Sequence, residues 1–404
     1  MKKTIIAASL TALAMGPAFA GASEYEANGQ TKIFDGTGSY PSGDSIKLIG
    51  GWHYDDKTET NVFDHSASNT NITLTGGTFD ELIGGNHIRK PNTGSYDLKI
   101  GNTHVTLSGE GSVTYFIGGS KANNADNTNL TTGNVTAAIS GGTVTGSAMS
   151  WGDKVSVIGG SYVKSTGNKD YGIPALTTAE TGDISLSISG GTFTGAVFGG
   201  SVADNYGKEQ ASDSSKPHLS ITTGVSSLLI EGGTFNSSEF GVFGGSAALG
   251  QKSSTESSGS SVIIDAKKDV DITGRVVGGD LLGFGGSGKN ATSSTINGST
   301  SVSITGSKKI ATSESVIGGS LLHLTLDGES SSSSISGTSS VFVDAENATL
   351  GDEVIGGSYV RQRNPNGTNT ANVTVESTSV TIQNGTIKGN VIGGGKVNGL
   401  KGTI

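Results

Sequence analysis

An all-β chain wound as a parallel β-solenoid, a β-helix of about ten coils with its variable loops on one side, is what three features of the sequence predict. The first is a motif of two apolar residues followed by Gly-Gly. It occurs ten times, with glycine pairs starting at Gly50, Gly84, Gly118, Gly159, Gly199, Gly244, Gly278, Gly318, Gly356 and Gly393. Successive copies are 34 to 45 residues apart. A period in this range marks an array whose units cannot bury their apolar face alone and must stack on neighbours. The second is alternation: Ile184, Leu186 and Ile188 interleave with Asp183, Ser185 and Ser187, the pattern of a strand with one buried face. The third is that no segment beyond the N-terminal leader carries an apolar stripe of helical period and length.

The chain opens on an export signal over residues 1–20. Lys2 and Lys3 are its charged region, Ile5 to Met15 its apolar stretch, and Ala18-Phe19-Ala20 its small-x-small cleavage site. That stretch is far below the roughly 20 residues a bilayer requires. Residues 21–47 read as a lead-in or cap, and residues 48–404 as the repeat domain.

Within a repeat, the alternating strand runs into a second glycine pair. Ile184–Ile188 precedes Gly190-Gly191-Thr192-Phe193, where glycine reaches positive φ without steric cost. Short arcs around Thr192-Phe193 and Ala196-Val197-Phe198 then lead to Gly199-Gly200. Ile72 and Leu74 precede Gly76-Gly77-Thr78-Phe79, and Leu228 and Ile230 precede Gly232-Gly233-Thr234-Phe235, in the same way. Val302 with Ile304, Val341 with Val343, and Val380 with Ile382 keep the strand and lose the second glycine pair. A polar residue follows the ten-fold motif: Ser120, Ser161, Ser201, Ser246, Ser320 and Ser358, with Asn86 and Asp280 in the same slot. The expectation is an outward polar face, with hydrogen bonding along the stacking axis as the alternative. Beyond the slot lie segments rich in Ser, Thr, Asn and Gly, at 121–134, 203–219, 247–260, 287–300, 323–340 and 361–372. These read as the variable loops, either a binding side or solvated spacer, as at Ser330 to Ser334.

Charge and composition exclude several functions. With Lys2 and Lys3 removed, 24 basic side chains face 35 acidic ones. A nucleic-acid partner is excluded, because it needs a basic stripe. There are no cysteines, as suits an exported bacterial chain that crosses membranes unfolded. The 66 glycines follow no three-residue period, so collagen is out.

Catalytic, cofactor and metal residues are each expected to be none. Gly283 to Asn290 is one residue short of a phosphate loop, since Asn290 stands where Ser or Thr would hold magnesium. Gly43-Asp44-Ser45 has no histidine upstream, the first being His53. Asp80-Glu81 and Asp352-Glu353 are seven repeats apart, too far for a glycosidase pair; a site around Asp55, Asp56 and Asp80 is the enzymatic alternative. His53, His65, His87, His104, His218 and His323 lack metal spacing. Lys267-Lys268 and Lys308-Lys309 fall at nearly the same place in adjacent repeats, as a solvated turn or a small basic patch for an anionic glycan.

The leader, the absence of cysteine, and the Gly-Gly-Thr-Phe and apolar-apolar-Gly-Gly-Ser repeats together resemble the passenger region of bacterial autotransporters (type V secretion). The resemblance covers residues 40 to 404 through low-complexity motifs. It implies a right-handed parallel β-helix, exported and displayed at the bacterial cell surface or outer membrane, or released, as a non-enzymatic adhesin. Its implied partners are host-surface or extracellular-matrix glycans or proteins, or other bacterial cells. A structural stalk without its own ligand and a glycan-active β-helix enzyme are the alternatives. The sequence departs from the family in carrying no C-terminal barrel. It stops at Lys401-Gly402-Thr403-Ile404, soon after the last motif, as expected of a truncated solenoid that would be translocated through a barrel not encoded here.

Overall fold

A computed structural model describes residues 24–35, 46–54, 61–89, 96–123, 128–148, 154–165, 177–205, 219–250, 252–283, 291–325, 328–363 and 369–399. Among these, the regular elements are all β-strands. One repeat sets the pattern. Tyr96–Ile100, Thr103–Leu107 and Ser112–Ile117 are its first, second and third strands. Gly118, Gly119 and Ser120 follow, and Lys121–Asn123 is the fourth. In the second strand Thr103, Val105 and Leu107 are buried, while His104 is exposed and Thr106 half-buried, as period two requires.

Each strand pairs in parallel with the same strand of the repeats on either side. Thr103–Leu107 lies between Thr70–Leu74 and Val135–Ile139. Phe116 and Ile117 sit beside Leu82 and Ile83 on one side and Val157 and Ile158 on the other. The fourth strands of all ten repeats form their own ten-stranded sheet in sequence order, from His53–Tyr54 to Lys396–Asn398. Each repeat therefore advances by one strand spacing, about 4.8 Å. Ahead of the first repeat, Glu24–Glu26 pairs with Lys47–Ile49, and Thr31–Phe34 with Asn71–Leu74.

The two apolar residues before each Gly-Gly serve different cores, because neighbours in a strand face opposite ways. Leu82, Phe116, Val157, Val197 and Val276 join the second strands in one continuous core. Ile83, Ile117, Ile158, Phe198 and Val277 point the other way and meet the first residues of the fourth strands, including Tyr162, Val202 and Leu281. A third cluster lies between first and fourth strands, for example Leu98 and Leu130 against Ile88 and Ala122.

The two kinds of glycine pair have separate causes. Gly191 adopts φ +116°, so that pair bends the chain. The ten-fold pair allows close approach instead. A Cβ on Gly118 would lie 2.1 Å from the Gly159 carbonyl oxygen of the next repeat, and one on Gly119 would lie 2.6 Å from Ser161 Oγ.

The variable segments are shorter than the sequence implies. Most of 247–260 and 323–340 is strand: Ala247–Gly250, Ser253–Ala266, Leu321–Leu324 and Ser330–Leu350. Ser330–Ser334 is not a spacer. It pairs in register with Ala291–Thr295, and Ser331 and Ser333 are buried. Alternation there is carried by hydroxyl residues on both faces, so hydropathy cannot reveal it. Length variation also enters elsewhere. In the fourth repeat, Ser147–Ala148 pairs antiparallel with Lys154–Val155, an insertion inside the third strand.

Candidate functional site

The slot after each Gly-Gly is where the chain changes ladder. The Ser120 carbonyl accepts from the Tyr162 N–H of the next repeat (2.9 Å). The Ser120 N–H points the same way, with no strand carbonyl to meet it, and donates to Ser161 Oγ (3.2 Å). A buried N–H must be paired, and a short side chain with an acceptor oxygen does this. The same bond joins Trp52 N–H to Asn86 Oδ1, then continues through Ser120, Ser161, Ser201, Ser246, Asp280 and Ser320 to Ser358, at 2.7 to 3.2 Å. The expected outward polar face is therefore wrong. Asn86 and the slot residues from Ser120 to Ser358 are all buried, and the alternative of hydrogen bonding along the axis is what the chain uses. Replacing Ser201 with Ala orphans the Ser161 N–H, and is expected to cost about 1–3 kcal/mol in urea unfolding. Ser201→Asn should cost less, since Asn86 fills the slot in the second repeat.

Asp280 is the charged exception. Its Oδ1 accepts from the Ser246 N–H (2.7 Å), and its Oδ2 from the Thr255 and Ser294 hydroxyls (2.8 and 2.7 Å). It is fully buried, and burial holds its pKa above the usual aspartate range despite those donors. A carboxyl with a raised folded pKa stabilises while protonated, and loses that contribution as pH rises through the folded value. Asp280→Asn, isosteric and neutral, should therefore be more stable than the parent at pH 7, by on the order of 1 kcal/mol. The gap should close as pH falls below the usual aspartate range. Thermal melts of both proteins across pH 3 to 8 check this.

Among the described residues, a cluster of ionisable side chains lies where the third and fourth strands pack together. Glu81 lies within its third strand, two residues before Ile83, and Lys121 opens the fourth strand one repeat on. Their Oε1 and Nζ are 2.6 Å apart, with side chains 8% and 3% exposed. Lys121 Nζ lies 5.3 Å from the centre of the Tyr115 ring and 5.6 Å from that of Tyr162. The Tyr162 hydroxyl donates to Asp204 Oδ2 (3.2 Å), which Lys164 approaches at 3.9 Å. Burial pulls the Lys121 pKa down and pushes the Tyr162 phenol up. Asp80 is raised by burial and by the neighbouring Glu81. At the far end Glu353, Lys396 and Tyr359 repeat the theme at the same repeat positions: Lys396 is paired with Glu353 and sits 5.3 Å from the Tyr359 ring centre.

The remaining residues singled out from sequence do not converge. Asp352 accepts from Ser315 (2.8 Å). The His53 and His87 rings lie at 34° to each other with Nδ1 atoms 3.0 Å apart, and burial depresses His87. His65 stacks on Trp52 at 3.7 Å, and His104 is exposed. His323 packs against Phe240 and is depressed to about 3 by burial and nearby arginines. Among the described residues no three histidine, aspartate or glutamate side chains gather as a metal site. The lysine pairs sit in a row of mixed sign: Lys267 is paired with Asp265, Lys309 is 3.7 Å from Asp271, and Lys268 donates to the Ser189 carbonyl. Gly43 to Ser45, Asp55, Asp56, His218 and Phe284 to Asn290 lie outside the described residues.

A second ladder went unread in the sequence. At the corner between first and second strands, Asn102 N–H donates to Asn69 Oδ1, Asn134 to Asn102, Asp183 to Asn134, and Val225 to Asp183, at 2.8 to 3.0 Å. The signal was the dipeptides Gly101-Asn102, Gly133-Asn134 and Gly182-Asp183, in step with the repeat. The segments of most varied length, among them 166–176 and 206–218, connect the end of a fourth strand to the start of the next first strand. Polar residues flank that edge, including Arg89, Asn123, Lys164 and Arg361. Comparison of the chain with family models, with curated proteins and with solved structures returns no match.

Proposed function

We propose that the chain is a right-handed parallel β-solenoid with one coil per repeat, and the passenger of an autotransporter-like secretion system. In this reading it is exported to the bacterial surface or beyond, where it acts as an adhesin or surface-interaction protein. The observation that carries the reading is the division of labour within each repeat. The strands and the slot hold a fixed register between neighbouring repeats, while most of the segments of varied length enter between the fourth strand and the next first strand. Sequence variety gathered on one edge of a uniform scaffold suits a protein that displays contacts. The partner would be a host-surface or matrix glycan or protein, or another bacterial cell. Lysine pairing of Glu81 and Glu353 argues against a carboxylate pair free for glycan cleavage. The unbroken slot ladder favours, as a second reading, a stalk that only spaces other domains.

Binding of the folded chain to glycan and matrix-protein arrays tests the proposal. A variant with residues 206–218 replaced by a Gly-Ser linker of equal length should lose or weaken binding and keep the parent's protease resistance. Absence of binding by the parent, with no agglutination of cells displaying it, would leave the stalk.

A further inference from the structure

We propose that Lys121 and Glu81 join in an intramolecular amide bond that covalently staples the second repeat to the third. The two groups are already in contact, Nζ to Oε1 at 2.6 Å, and enforced proximity of this kind is what an otherwise slow condensation needs. Water is kept out: both side chains are over nine-tenths buried, and Tyr115 and Tyr162 flank the nitrogen. Glu81 is also poorly served as a carboxylate. Its Oε2 is buried and has no hydrogen-bond partner, a costly state for a charged oxygen. An amide has one oxygen fewer, so the bond removes the orphan.

The step balances within the pair. Proton transfer along the 2.6 Å contact converts ammonium and carboxylate to amine and carboxylic acid; burial, which lowers the Lys121 pKa, favours this neutral pair. The Nζ lone pair attacks Cδ, the C–N bond forms, and the C–OH bond breaks. The departing hydroxyl takes a proton from Nζ and leaves as water, with no oxidant or cofactor. The corresponding pair at the other end is an internal control. Lys396 and Glu353 are 27% and 10% exposed, and the Lys396 pKa is raised, so its ammonium persists and stays unreactive.

Mass spectrometry of the folded chain, denatured and then digested, tests the bond. The expected result is a branched peptide containing Glu81 and Lys121, lighter by one water than the sum of its parts. Lys396 and Glu353 should appear in separate linear peptides. Lys121→Met and Glu81→Leu should each abolish the branched peptide and restore the full intact mass. If either fails to fold, the parent's peptide map still decides. Linear peptides only, from parent protein held folded for days, would overturn the proposal, as would an equal bond between Lys396 and Glu353.

Discussion

Gly118→Ala should lose the cooperative unfolding transition of the central repeats, or lower stability by more than about 4 kcal/mol, a loss that few single substitutions reach. The added methyl would sit 2.1 Å from the Gly159 carbonyl oxygen and 2.8 Å from a Val135 methyl. The carbonyl belongs to the next rung, so no side chain can swing aside. The two repeats would have to part, breaking Gly118 N–H to Ile158 O (2.8 Å) and Gly119 N–H to Gly160 O (2.9 Å). In a stack where each unit contacts only its neighbours, a broken junction divides the array. Gly190→Ala is the comparison, because its nearest contact would be 3.1 Å and small shifts can absorb it. Denaturant midpoints and limited proteolysis of the two variants should differ sharply; equal losses would mean the ten-fold glycines are not set by inter-repeat contact.

Val276→Asp and Ile317→Asp are expected to be comparably severe, each costing about 3–5 kcal/mol, as for a buried charge left without a partner. Val276 is fully buried in the main core and Ile317 fully buried in the second, so both faces of the apolar pair are tested. The serine run supplies the contrast. Ser332 is half-buried on the outward side of Ser330–Leu350, and Ser332→Asp should stay within about 0.5 kcal/mol. Ser333 is buried, and Ser333→Asp should behave like a core lesion. Adjacent serines with opposite outcomes are the mark of a strand; equal tolerance would restore the spacer reading.

Period and alternation made the strand content, the repeat boundaries and the buried apolar pairs legible in the sequence, because they reflect burial and burial follows hydropathy. What escaped depends on hydrogen bonding instead. Serine reads as a surface residue on any hydropathy scale, so the slot from Ser120 to Ser358 read as an outward face. Its burial follows from an N–H that the change of ladder leaves facing the next repeat. Asn102 and Asn134 escape hydropathy for the same reason, and only their recurrence after glycine marks them. The pairing of Glu81 with Lys121 joins residues 40 positions apart, and no local pattern marks it. It became readable only once successive repeats were known to stack one rung apart.

That spacing is the central claim, and cysteine pairs test it most directly, since the chain contains none of its own. Thr136 and Ser185 are register partners in adjacent repeats, and Ser227 is the partner of Ser185 one repeat further. One rung per repeat puts the first two Cα atoms about 4.8 Å apart, and Thr136 and Ser227 about 9.6 Å apart. A disulfide does not form beyond roughly 7 Å without backbone movement. Under mild oxidation of the folded chain, Thr136→Cys with Ser185→Cys should close quantitatively, and Thr136→Cys with Ser227→Cys should keep both thiols free. A disulfide in the second pair, or its absence in the first, would contradict one rung per repeat.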